Sequence, residues 1–292
     1  MGHKAGFVNI IGNPNVGKST LMNNLVGEKL SIVTAKAQTT RHRIMGIVNG
    51  EDFQVVYSDT PGILKPNYKL QQSMMEFVMT ALSDADLLIY VTDVVETVDK
   101  NPEIMAMLSQ SSTPIIALIN KIDLSTQEEV FKLMEKIRQL LPSAEIIPVS
   151  ALKGFNLDKL VDQIRERLPE NPPFFPKDEL TDRTMRFFVS EIIREKIFMN
   201  YQKEIPYSTE VEIEEYKELE NIDHIRAVIH VLRDSQKGII IGHQGKSIKK
   251  VGTQARKDIE AFTGKKAFLE IFVKVSDDWR DKPERLRQFG YL

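Results

Sequence analysis

The first 168 residues alternate short apolar runs with amphipathic stretches. The runs are GFVNIIG (6–12), FQVVYSD (53–59), DLLIYVTD (86–93), PIIALIN (114–120) and AEIIPVS (144–150). Such continuous runs, rich in Val and Ile, suit strands buried on both faces. Helical spacing lies between them, at about 18–26, 70–83, 100–110, 126–140 and 156–167. Alternating strand and helix predicts an α/β unit, a mostly parallel six-stranded sheet with right-handed crossovers and helices on both faces. One pair breaks the rule. HRIMGIVNGED (42–52) runs into FQVVYSD through Asn49-Gly50, a strong hairpin turn, so one antiparallel edge pair is expected.

The pattern changes at PENPPFFP (169–176), where four prolines in eight residues stop helix and central strand alike. The expected organisation is a first domain over 1–168, a proline-rich linker over 169–178, and an α+β second domain over 179–292. That second domain opens with helical spacing over about 181–199. The alternating strand STEVEIEEY follows, with Val211 and Ile213 facing in and Glu210, Glu212 and Glu214 facing out. IRAVIHVL (225–232) is the next strand, then GIIIGHQGKSIKKVGTQARKDIEAF, then the strand AFLEIFVKV (267–275). The order is α-β-β-α-α-β, followed by a C-terminal helix.

Composition narrows the picture little. A chain of 292 residues favours two domains. Its 42% hydrophobic and 27% charged content is ordinary for a globular protein. There are no cysteines, which excludes disulfides and thiolate metal sites. No apolar run approaches the roughly 18 residues of a membrane span. The start, MGHKAGFVNIIGNPN, enters a strand-like run at once and does not read as a signal peptide. The five histidines show no metal-ligand spacing, and Asp86 and Asp93 read as caps at the ends of one strand.

The ends of the apolar runs carry the chemistry. GNPNVGKST (Gly12, Asn13, Pro14, Asn15, Val16, Gly17, Lys18, Ser19, Thr20) follows a strand and opens a helix, the context in which G-x-x-x-x-G-K-[ST] binds phosphates. Its backbone N–H groups and the helix N-terminus would hold the anion, Lys18 would bridge the outer phosphates, and Ser19 would ligate Mg²⁺. DTPG (Asp59, Thr60, Pro61, Gly62) ends the next strand. Asp59 would hold Mg²⁺ directly or through water, with the Gly62 N–H facing the γ-phosphate. NKID (Asn120, Lys121, Ile122, Asp123) follows a buried strand. The Asp123 carboxylate can accept from both N1–H and N2–H of guanine, donors that adenine lacks, which favours GTP over ATP. SAL (Ser150, Ala151, Leu152) follows the last strand and offers the Ala151 N–H to guanine O6.

These four motifs, in this order over residues 5–168, resemble a translation-factor-type GTPase domain. The resemblance implies that AQTTRHR (37–43) is the first switch. Thr40 would then cap Mg²⁺ and the γ-phosphate, with Thr39 the alternative because two threonines leave the register open. Catalytic roles fall to Asn15, Lys18, Thr40, Asp59 and Gly62. After Gly62, where many such enzymes carry a water-aligning glutamine, stands Ile63.

Net charge is only −2, so nucleic-acid binding must be sought locally. Segment 233–266 holds nine basic and three acidic residues, whereas 173–292 as a whole nets only +1, 22 basic against 21 acidic. Ile248, Val251, Ala255, Ile259 and Phe262 recur at helical spacing, giving a helix with a core face and a basic face. Before it lies a G-x-x-G loop. The candidate RNA contacts are Ile241, Gly242, His243, Gln244, Gly245, Lys246, Ser247, Lys249 and Lys250. In KH domains such a loop clamps about four single-stranded nucleotides.

With SDTPGI, AQTTRHR and the tail WRDKPERLRQFGY (279–291), the whole resembles the Era family of bacterial GTPases, a P-loop GTPase domain followed by a type II KH domain. That resemblance implies GTP hydrolysis to GDP, binding near the 3′ end of 16S rRNA, and a role in small-ribosomal-subunit assembly. It also implies a cytoplasmic monomer, peripherally associated with the inner membrane. An asparagine in the position of Asn15 ligates K⁺ in relatives, and Ile63 would point away from the phosphates.

Overall fold

The computed structural model describes residues 2–96 and 100–292. Its residues group into two compact units, 1–65 with 74–182, and 66–73 with 183–292.

The first unit contains β1 (Lys4–Gly12), α1 (Lys18–Val26), β2 (Ile44–Asn49), β3 (Phe53–Asp59), most of α2 (Lys69–Ser83), β4 (Leu87–Asp93), α3 (Pro102–Ser109), β5 (Ile115–Asn120), α4 (Gln127–Leu140), β6 (Glu145–Pro148) and α5 (Leu157–Arg167). The sheet order is β2-β3-β1-β4-β5-β6. Every pairing is parallel except β2 with β3, the hairpin that Asn49-Gly50 announces. Alternate residues of the same strands enter opposite cores. Val8, Ile10, Leu87, Ile89, Ile116 and Leu118 pack with Leu21 of α1 and Leu160 and Ile164 of α5. Ile11, Leu88, Tyr90, Ala117 and Ile119 pack with Val78 of α2, Ile104 of α3 and Ile137 of α4. With both faces apolar, polar chemistry is left to the C-terminal ends of the strands.

The proline-rich stretch lies against this unit. The Ala5 N–H donates to the Pro169 carbonyl, and Asn171 N–H to His3. The amide of Gln54 accepts from the Phe174 and Phe175 N–H groups, and the Ile47 N–H reaches Leu180.

The second unit contains α6 (Met185–Asn200), β7 (Glu210–Glu218), β8 (Ile222–Val231), α7 (Asp234–Ile241), α8 (Lys246–Thr263), β9 (Lys266–Val275) and α9 (Pro283–Gln288). Its sheet runs β7-β8-β9, with β8 antiparallel to β7 and parallel to β9. One sheet face packs on α6, α7 and α8 through Ile193, Ile197, Ile240, Val251, Ala255 and Ile259. On the other face the structure departs from simple alternation. Glu210, expected to face water, is buried, and its carboxylate accepts from the Tyr291 hydroxyl at 2.7 Å. The C-terminal segment lies over the start of β7. Gln288 donates to Glu212 at 2.7 Å, and the Phe289 ring lies 5.0 Å from His230. Trp279 is fully buried, and its Nε1–H donates to the Ser208 carbonyl.

Tyr291→Phe removes a donor to a buried carboxylate, and such a loss costs about 1–3 kcal/mol. Urea unfolding followed by the single tryptophan, Trp279, is expected to show a lowered midpoint, and an unchanged midpoint would contradict this reading of the tail.

Candidate nucleotide and RNA sites

The phosphate loop joins β1 to α1 by a path that needs glycine. At Gly17 φ is +97°, and a Cβ would come within 2.2 Å of the Asn120 amide. A Cβ on Gly62 would meet the backbone of Pro14 at 2.7 Å, so DTPG and the phosphate loop touch backbone to backbone. A cavity of about 360 Å³ opens here, lined by Pro14, Asn15, Gly17 to Thr20, residues from the 32–40 stretch, Gly62 and Lys121.

Three oxygens converge at its floor. Ser19 Oγ donates to Asp59 Oδ2 at 2.7 Å and lies 2.8 Å from Thr40 Oγ1. Thr40 Oγ1 is itself 3.5 Å from Asp59 Oδ2. Thr39 turns elsewhere, donating to the Lys36 carbonyl and sharing a hydrogen bond with Thr34. Asp59 is fully buried, and its Oδ1 has no hydrogen-bond partner among the described residues. Burial pushes its carboxyl above the usual range, a shift eased by the Lys18 charge and by the nearby Ser19, Ser31 and Thr40 hydroxyls. Hard hydroxyl and carboxylate oxygens with an unsatisfied carboxylate fit Mg²⁺. When bound, Mg²⁺ supplies charge neutralisation to a nucleotide's phosphates. Lys18 is buried and donates to the Gly12 and Asn13 carbonyls at 3.0 and 2.8 Å.

The base end is held by Asn120. Its Nδ2 donates to the Val16 carbonyl at 2.8 Å, and its Oδ1 accepts from the Ala151 N–H at 2.9 Å. A guanine O6 would share that N–H with Asn120. The Ser150 hydroxyl donates to Asp123 Oδ1 at 2.6 Å, orienting the carboxylate, while Leu152 is exposed. Lys121 reaches the Asn15 carbonyl at 2.6 Å and pairs with Asp93 at 2.5 Å. Asp93 also accepts from the Val95 and Glu96 N–H groups, and Asp86 from the Phe7 N–H. Thr60 donates to the Ile10 carbonyl. Ile63 lies in the apolar core with Ile11 and Val78 rather than in the cavity.

Sequence reasoning passed over three residues around this site. Asn24 on α1 donates to the Ala151 carbonyl at 3.0 Å. Arg43, inside AQTTRHR, donates to Ser58, Asn9 and Asp84. It ties the residue before Asp59 to the stretch that carries Thr40. Asn101 donates to the Asn13 side chain. The signal for Arg43 was its burial, which no local pattern announces.

In the second unit Gly242 and Gly245 both have positive φ, and a Cβ on Gly242 would meet Ser247 Oγ at 2.2 Å. His243 and Gln244 are exposed between them, and Lys246, Lys249 and Lys250 are exposed on α8. Ile241 precedes the loop, half-buried. A groove of about 290 Å³ runs between α8 and β9, lined by Ile248, Lys249, Gly252, Thr253, Arg256, Leu269 and Ile271. Gly252, Thr253 and Arg256 were absent from the expected contacts, though they follow Lys249 at helical spacing.

Burial lowers the Lys18 pKa to about 8. The cation is the form that holds phosphate, so nucleotide affinity must fall as pH rises through this value. The dissociation constant for GDP, measured by titration from pH 7 to 8.5, is expected to rise about fourfold. A flat profile would refute the lowered pKa of Lys18.

A family model described as 50S ribosome-binding GTPase matches residues 7–121, and a KH domain model matches residues 204–280. The crystal structure of Era in complex with MgGDPNP and nucleotides 1506–1542 of 16S ribosomal RNA is 41% identical to this chain, with 99% of each chain covered and a TM-score of 0.94. A tyrosine-to-alanine variant of Era from Aquifex aeolicus, bound to GDP and AlF₄⁻, gives the same identity, coverage and TM-score. With a P-loop GTPase unit followed by a KH unit in one chain, and this identity along its length, the chain belongs to the Era family of GTPases.

Proposed function

We propose that this protein is a GTP-hydrolysing switch that binds the 3′ end region of 16S rRNA and acts in small-ribosomal-subunit assembly. The observation that carries it is the joint presence of the Ser19–Thr40–Asp59 cluster and the G-x-x-G groove in a chain 41% identical to an Era that binds both MgGDPNP and that RNA. The domain roles follow: GTPase over 1–168, linker over 169–178, RNA binding over 179–292.

In this reading the N–H groups of residues 12–20 cradle the phosphates and Lys18 neutralises them. Ser19, Thr40 and Asp59 are the Mg²⁺ ligands or hold its waters. Asn120, Lys121, Asp123 and the 150–152 loop select guanine. Gly62 senses the γ-phosphate. The residues of 241–250 named above hold the RNA backbone. Phosphoryl transfer to water then needs positioning and charge neutralisation, and no covalent step on the protein. The protein works as a monomer in the cytoplasm, peripherally associated with the inner membrane. No described helix is long and apolar enough to cross a membrane.

Labelled single-stranded RNA copying the 16S rRNA 3′ end should bind more tightly with a GTP analogue than with GDP. The affinity ratio then gives the coupling free energy. Equal affinities would detach the GTPase from RNA capture, and no binding would sink the RNA reading. Asn15, which lines the cavity, is proposed to hold an activating K⁺ with the first-switch backbone. GTPase rates should therefore be higher in KCl than in NaCl, whereas equal rates would leave Asn15 a loop-shaping residue.

A further inference from the structure

We infer that the sheet face of the second unit turned away from its helices is a stacking platform, taking bases of the same RNA strand that the groove holds. This rests on the RNA reading above. Strand β9 is one edge of the sheet, with β8 as its single strand neighbour among the described residues. Its residues alternate between two surfaces. Leu269 and Ile271 line the groove on the helix side, while Phe268 and Phe272 point to the opposite side and are 50% and 51% exposed. Two large apolar rings are thus left half in water on one edge strand.

Their neighbours suit nucleic acid. The His224 ring lies 5.2 Å from Phe268, and the Arg226 guanidinium lies 6.0 Å from the Phe272 ring centre. Both His224 and Arg226 are exposed, as is Lys274 beyond Phe272. Glu270 stands between the two phenylalanines and is paired with Arg226 at 3.4 Å. Glu215 of β7 pairs with Lys217. The carboxylates of this face are thus largely compensated, and the aromatic rings remain open. Exposed aromatics beside arginine are the means by which proteins stack unpaired bases. Four residues along a strand span about 13 Å, well beyond the ~3.4 Å between stacked neighbours. Each ring therefore takes a separate, splayed base. A G-x-x-G loop clamps only about four nucleotides. A strand leaving the groove has only to cross the free edge of β9 to reach Phe268 and Phe272. The lower part of the face is closed to it by the C-terminal segment over Glu210 and His230.

The test compares a four-nucleotide and a twelve-nucleotide single-stranded RNA, both copied from the 16S rRNA 3′ end, bound to the full chain with a GTP analogue and Mg²⁺. The twelve-mer should bind more tightly. Phe268→Ala and Phe272→Ala should each weaken the twelve-mer about 5- to 150-fold and leave the four-mer unchanged. Phe268→Trp and Phe272→Trp, which keep a stacking ring, should retain wild-type affinity and so guard against loss of fold. If the four-mer binds but the double alanine variant holds the twelve-mer as wild type does, the platform is refuted while the groove stands. A protein-binding role for this face would produce that same result. If neither RNA binds the wild type, the RNA reading falls and the platform with it.

Discussion

A carboxylate with no exposed surface sets the terms of the nucleotide site. Asp59 sits at the end of a strand whose last six residues are buried, and ionising it there is costly unless a cation or several donors answer it. The fold brings two hydroxyls to one of its oxygens and leaves the other without a hydrogen bond. Lys18, itself depressed by burial, supplies the nearest positive charge. Each of these groups is poorly satisfied alone. A triphosphate with a divalent ion satisfies them together, because its anion answers the lysine while its metal answers the carboxylate. Ligand binding can then draw on electrostatic cost that the folded chain already carries, in a site where low dielectric strengthens every contact.

The same economy of backbone explains why the site lies where it does. Apolar side chains cover both faces of the six-stranded sheet, so the strand ends and their loops are left for polar work. Asn120 shows how those loops become one object. A single amide joins the carbonyl of Val16 to the N–H of Ala151, so the phosphate loop and the guanine loop cannot shift independently. Gly17 has to be glycine for the same reason, since a Cβ would strike that amide. In the second unit the constraint is again glycine. Gly242 passes beneath Ser247 with a positive φ, which places the exposed His243–Gln244 corner at the head of a basic helix.

Most of this was legible in the residues because it depends on local signals. Buried strands, helix periodicity, the hairpin at Asn49-Gly50 and the motif at each strand end are all written within a dozen residues. What escaped was tertiary. The alternation of β7 assigns Glu210 to a face but says nothing of the Tyr291 hydroxyl, some eighty residues away, that covers it. Thr39 and Thr40 are equivalent in sequence. Their hydroxyl partners separate them, and those partners come from α1 and β3 for one and from the loop itself for the other. The groove residues on α8 could have been read from helical spacing. Leu269 and Ile271 needed the pairing of β9 with β8 to place them beside it.

Ile63 shows how a missing side-chain function can be a structural choice. Its N–H donates to the Gly12 carbonyl at 3.1 Å, which pins the peptide after Gly62 to the phosphate loop. Its side chain is packed into the apolar core behind β1 and β4, a burial that contributes about 1.5–3 kcal/mol. A glutamine here would have to surrender that packing to reach the cavity, or bury an amide without partners. The loop is therefore held by its apolar residue in the position where the Gly62 backbone lies against Pro14. The groups at the cavity wall that could orient a water are the backbone of the loops and the polar ends of Asn15 and Thr40. Such groups cost no rearrangement at the moment of reaction. In phosphoryl transfer, where positioning and electrostatics do nearly all of the work, a fixed wall can stand in for a mobile amide.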